Sequence, residues 1–108
     1  MSRDNVFTRM SEVECARALD YNDDEFVARC LQYRKPAERA RIQYLCEVNS
    51  HARYAQLDTS KMSAARRSEH KRGVQISKDV LKSAKFETRA GMTFEEALKI
   101  MGLDPSLA

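Results

Sequence analysis

Helix-start signals recur along this chain, and they constrain its fold more than any other feature. Ser11 with Glu14, Asn22 with Glu25 and Thr93 with Glu96 each have the spacing of a capping box, in which two side chains satisfy free backbone N–H groups at a helix start. Pro36 suits the first position of a helix, where its missing N–H costs nothing, and it discourages helical geometry at Lys35 before it. No run alternates apolar and polar residues with the Val, Ile and Thr enrichment of strands, and no Asn-Gly or Asp-Gly hairpin turn occurs. The sequence therefore predicts an all-α fold.

The apolar spacing divides the chain further. A first helix over 12–20 turns Val13, Ala16 and Leu19 inward. A second, from the Asn22 cap to Lys35, buries Phe26, Val27, Cys30 and Leu31. A third runs from Pro36 to about Leu57 and carries Ala37, Ala40, Tyr44, Leu45, Val48, Ala52 and Ala55 on one face, with Ile42 and Cys46 on another. A short last helix carries Phe94, Ala97, Leu98 and Met101 and ends at Gly102, with Asp104-Pro105 blocking its continuation. At 108 residues the length suits one domain of about 100–150 residues. The expectation is a single-domain bundle of about five helices: a three-helix part at 1–57, a long basic helix or helix pair at 58–90, and a capped helix at 91–108.

Charge is distributed unevenly. Residues 1–30 hold seven acids and four bases (−3), 31–56 five bases and two acids (+3), 57–89 nine bases and four acids (+5), and 90–108 one base and three acids (−2). If 61–89 is one helix about 40 Å long, Arg67, Lys71, Lys78, Lys82, Lys85 and Arg89 fall within an arc of roughly 60°. Gly73 leaves open whether the helix runs through or Ser77 caps a second one. The far side of the rod carries Ile76, Val80 and Ala84, a seam suited to docking or to self-association.

Two binding readings follow, and neither is catalytic. The first is a regulatory or adaptor protein acting through helix-mediated contact, using apolar surface from the N-terminal helices for another protein or the Ile76, Val80 and Ala84 seam for contact with a second copy. The second is a binder of the DNA or RNA backbone, with the six bases as the anionic-partner site and counterion release as the driving force. No aromatic residue lies between Lys61 and Lys85 to stack single-stranded bases, and Gln75 is the lone candidate for reading a base edge, so binding to the backbone and not to sequence is expected. A helix-turn-helix centred on Gly73 fails because Glu69, Ser68 and Arg72 occupy positions that should be small or apolar.

Other chemistry finds little support. The glycines stand alone at 73, 91 and 102, so no phosphate loop is present. Neither His51 nor His70 lies in a motif that would activate a cysteine. Glu47 and His51 share a helix face, but a di-metal bundle needs Glu-x-x-His twice and two further Glu. No enzyme activity, cofactor, metal or small-molecule substrate is expected. The longest apolar run is three residues, against about 20 for a membrane span. No secretory or transit signal is read near Met1. Cys15, Cys30 and Cys46, odd in number and widely spaced, suit free thiols in a reducing, cytoplasmic compartment. The segment 92–103 resembles the opening helix of J-type and J-like co-chaperone domains, but the second helix and His-Pro-Asp loop of those domains are not found, so no function is carried over.

Overall fold

Six α-helices and two short 3-10 turns make up the computed structural model, which describes residues 3–108; no strand occurs among them. The helices are α1 (Glu12–Ala18), α2 (Asp24–Cys30), α3 (Pro36–Ala55), α4 (Ala64–Leu81), α5 (Ala84–Ala90) and α6 (Phe94–Ile100), with 3-10 turns at Val6–Thr8 and Pro105–Leu107. The all-α expectation holds, with one helix more than the five anticipated.

Local side-chain chemistry sets most boundaries. Ser11 Oγ accepts from the Glu14 N–H at 3.1 Å while Glu14 reaches back to the Ser11 N–H, so the first capping box forms as read. The second start is displaced by one residue. Asp23, not Asn22, caps α2, accepting from the Phe26 N–H at 2.8 Å, because Asn22 turns back to donate to the Leu19 and Asp20 carbonyls. Tyr21 takes up the reversal at φ +70°, a left-handed conformation uncommon outside glycine. α2 closes at Cys30, short of Lys35, and Arg34 occupies the turn that follows. The Arg34 guanidinium donates to the Phe7 carbonyl at 3.0 Å and to the Met10 carbonyl, and pairs with Glu38. One side chain thereby fastens the N-terminal turn to the start of α3.

α3 is the central post. Tyr44, Leu45 and Val48 meet Ala16, Leu81, Ala90, Phe94, Ala97 and Leu98 in the larger apolar core. Ile42 turns the other way into a smaller one with Cys15, Leu19, Val27 and Leu31. The two covered faces anticipated for α3 are therefore both present. Ala37 and Phe26 are exposed, so Phe26 does not join the buried face of α2 anticipated for it. Each large aliphatic or aromatic side chain fully withdrawn from water contributes about 1.5–3 kcal/mol, so Phe94, Leu45, Leu98 and Ile42 anchor the assembly.

The basic segment departs from a single rod, and the break is not at Gly73. α4 runs uninterrupted through that glycine and stops at Leu81. Ser83 then caps α5, its Oγ donating to the Val80 carbonyl at 2.7 Å and facing the Phe86 N–H at 3.5 Å. Tyr44 Oη donates to the Leu81 carbonyl at 2.7 Å inside the core, so α3 satisfies one of the acceptors left free at the end of α4. Glu87 Oε2 accepts the Phe94 N–H at 2.7 Å and so fixes the start of α6 from α5.

The chain is elongated, 57 × 26 × 22 Å, with a radius of gyration of 15.2 Å against about 13 Å for a compact chain of this length. Residues 64–69, the first part of α4, are exposed on every side. α4 docks through its later turns only.

Candidate cleft and flanks of the fourth helix

At about 100° per residue, α4 presents three distinct sides. Its inner side carries His70, Gly73, Val74, Ser77 and Leu81. This is a narrow, largely polar contact with α3. His51 Nδ1 and Ser77 Oγ share a hydrogen bond at 2.8 Å, and the His51 ring stands edge-on to Phe94 with centroids 5.6 Å apart. The Tyr54 ring stands edge-on to His70 at 4.5 Å. A Cβ on Gly73 would lie 2.6 Å from Tyr54 Oη, so the glycine admits that ring. Its cost of about 1 kcal/mol relative to Ala in a helix has a packing reason here.

His51 is only 4% exposed, and burial, assisted by the Lys78 charge, lowers its pKa below the ordinary imidazole value. The His51–Ser77 pair does not have the surroundings of an acyl-transfer site. Ser77 lies inside the α4 ladder, where backbone N–H groups are engaged by the helix and do not converge as oxyanion donors. Burial pushes the Cys46 thiol up to about 12, and nearby carboxylates add to the shift, so the thiol stays protonated and packs as an apolar group. All three cysteines are free, and no cluster of three metal-ligating side chains occurs among the described residues.

One flank of α4 is cationic. Arg67, Lys71, Lys78 and Lys82 keep the arc anticipated for them, since all four lie on α4 or at its C-cap. Lys85 and Arg89 do not join them. The turn at Ser83 puts both on α5, where Lys85 is exposed and the Arg89 guanidinium lies 5.5 Å from the Phe86 ring. The six-residue ridge is thereby corrected to four. Every ion pair among the described residues uses a base from the first half of the chain, namely Arg9, Arg34, Arg41 or Arg53. The α4 bases have no carboxylate partner within 4 Å.

The other flank is apolar and open. Ile76 is 57% exposed and Val80 44%, and Ala84 is exposed at the start of α5. The seam does not dock α4, because that contact falls on the polar inner side. Beside Val80 lies an open groove of about 540 Å³ whose apolar wall is Tyr54, Leu81 and Phe86 and whose polar lining is Glu47, Ser50, His51 and Ser77.

Between the cationic flank, the end of α3 and the 3-10 turn Pro105–Leu107 lies a second cleft, of about 510 Å³. Arg67, Lys71 and Lys78 line it with His51 and His70, and its apolar surface comes from Ala55, Leu57, Val74 and Leu107. Sequence reasoning missed this cleft because Leu57, Val74 and Leu107 come from three segments with no shared local pattern. No helix among the described residues is long and apolar enough to cross a membrane. No protein-family model, no curated protein and no solved structure matches the chain.

Proposed function

We propose that this protein is a non-catalytic adaptor or regulatory module that engages another protein through α4. The observation carrying this reading is the open apolar flank, with Ile76 and Val80 exposed beside the groove of Tyr54, Leu81 and Phe86. Apolar side chains one helical turn apart next to such a groove suit a partner helix laid along α4, a recurrent mode of peptide recognition. The projecting first turns of α4 lengthen the surface available to it. Three unpaired thiols favour a reducing, cytoplasmic setting for this role.

Site-specific photo-crosslinking in cells tests the reading. A photoreactive residue at position 76 or 80 is expected to give discrete protein adducts that disappear with Tyr54→Asp, while the same probe at position 95, exposed on α6, gives none. Equal adducts from all three positions, or none from any, would overturn it.

A second reading, binding of a nucleic-acid backbone, is favoured by one observation: four aligned bases on α4 without carboxylate partners. Phosphates at successive positions could meet such a strip, with released counterions supplying the free energy.

A further inference from the structure

The cleft on the cationic flank differs from the protein-docking flank in place and in chemistry. Its volume of about 510 Å³ falls within the roughly 300–1,000 Å³ typical of small-ligand sites. Its apolar surface is aliphatic, from Ala55, Leu57, Val74 and Leu107. Its cationic groups are Arg67, Lys71 and Lys78, and no acidic side chain lines it. The lining thus combines aliphatic surface with positive charge and carries no countercharge, and His51, His70, Thr59, Gln75 and Ser106 complete it.

From this combination we infer that the cleft binds an anionic acyl chain, a single aliphatic tail ending in a carboxylate. The tail covers Leu57, Val74 and Leu107. The carboxylate takes charge-assisted hydrogen bonds from Lys71 and Lys78, which are stronger than bonds between neutral partners. Thr59, Gln75 and Ser106 add neutral hydrogen-bonding groups to the lining. A nucleotide suits the cleft less well: no Phe, Tyr or Trp lines it, and of its two imidazoles His51 is buried and His70 already packs edge-on against Tyr54. Lys85 and Arg89 lie outside the cleft and take no part. The site does not depend on the Ile76/Val80 flank, so the two readings stand or fall separately.

Sodium dodecanoate is the probe, titrated below its aggregation threshold into the full chain with amide shifts and heat followed together. Saturable one-to-one binding is expected, with shifts gathered at Leu57, Val74 and Leu107. The double variant Lys71→Gln/Lys78→Gln should weaken it by about tenfold or more, through loss of both charged donors. Lys85→Gln should leave it unchanged, and dodecanol, with the same tail and no charge, should bind at least about tenfold more weakly. Val74→Asp, which places a carboxylate on the aliphatic surface, should abolish binding while the circular dichroism of the fold is retained. Absence of saturation, full affinity in the lysine double variant, shifts centred on Tyr54 and Phe86, or tighter binding of ADP than of dodecanoate would each overturn the assignment.

Discussion

His51 on α3 and Ser77 on α4 are joined by a single hydrogen bond, Nδ1 to Oγ at 2.8 Å, in the middle of a helix contact that holds few large apolar side chains. Burial and the nearby Lys78 both disfavour a charged imidazole there, so the pKa of His51 in the folded protein lies below its ordinary value. The unfolded chain then takes up a proton at higher pH than the folded one. Stability is complete above the unfolded imidazole pKa of about 6.5 and falls as pH drops through it, because the unfolded state binds the additional proton. Urea titrations at pH 7.5 and pH 5 should show a lower midpoint in acid, and His51→Gln should remove that part of the difference. An identical pH dependence in the variant would show that other groups carry it.

Tyr44 makes the second polar tie between the same two helices, and its removal has a different signature. The Leu81 carbonyl lies at the end of α4, where the helix offers it no donor, and the phenol donates to it inside the core. Tyr44→Phe keeps the ring and leaves that acceptor unsatisfied, so a loss of about 1–3 kcal/mol is expected. Denaturant unfolding should show a lower midpoint with an unchanged slope. Burial raises the Tyr44 pKa, so its hydroxyl stays a donor through the alkaline range ordinarily used for such measurements.

The helical class and the faces of α1 and α3 were legible because they rest on local chemistry. Ser11 with Glu14 and Thr93 with Glu96 cap in place, and Ile42 and Cys46, set off from the face of Tyr44 and Val48, announce a helix covered on two sides. What was not legible is long-range. Nothing near Gly73 in sequence says that Tyr54 will fill the space a Cβ would need, so the glycine leaves open a break where the helix in fact continues. Nothing near Ser83 says that its hydroxyl will close α4, since a serine among Lys82, Ala84 and Lys85 also fits a continuous helix. The apolar seam misleads for the same reason: Ile76 and Val80 suggest a buried side, yet α3 meets α4 through His51, Tyr54 and their partners.

Ser83 supplies the next test, because it separates a six-base ridge from a four-base one. Ser83→Ala removes the side-chain cap of α5 and the hydroxyl bond to Val80, and a loss of about 0.5–2 kcal/mol is expected for an N-cap truncation. Carbon chemical shifts at Lys82 and at position 83 should remain those of a helix interruption, because Tyr44 still holds the Leu81 carbonyl and Glu87 still holds α6. Fully helical shifts across 81–85 in the variant would show that the serine alone makes the break.

Four aligned bases in place of six change what nucleic-acid binding by this protein would look like. Each phosphate contact on duplex DNA contributes about 0.9 to the slope of log K against log salt, so Arg67, Lys71, Lys78 and Lys82 together predict a slope between about −3 and −4. A six-base ridge would give a slope near −5 by the same rule. Replacing Lys78 and Lys82 together with Gln should bring the slope to about −2, while Lys85→Gln and Arg89→Gln should leave it unmoved, because α5 carries them away from the strip. A slope near −5 that falls when Lys85 or Arg89 is replaced would mean the turn at Ser83 straightens on DNA. A slope close to zero would remove the nucleic-acid backbone as a partner of the α4 bases.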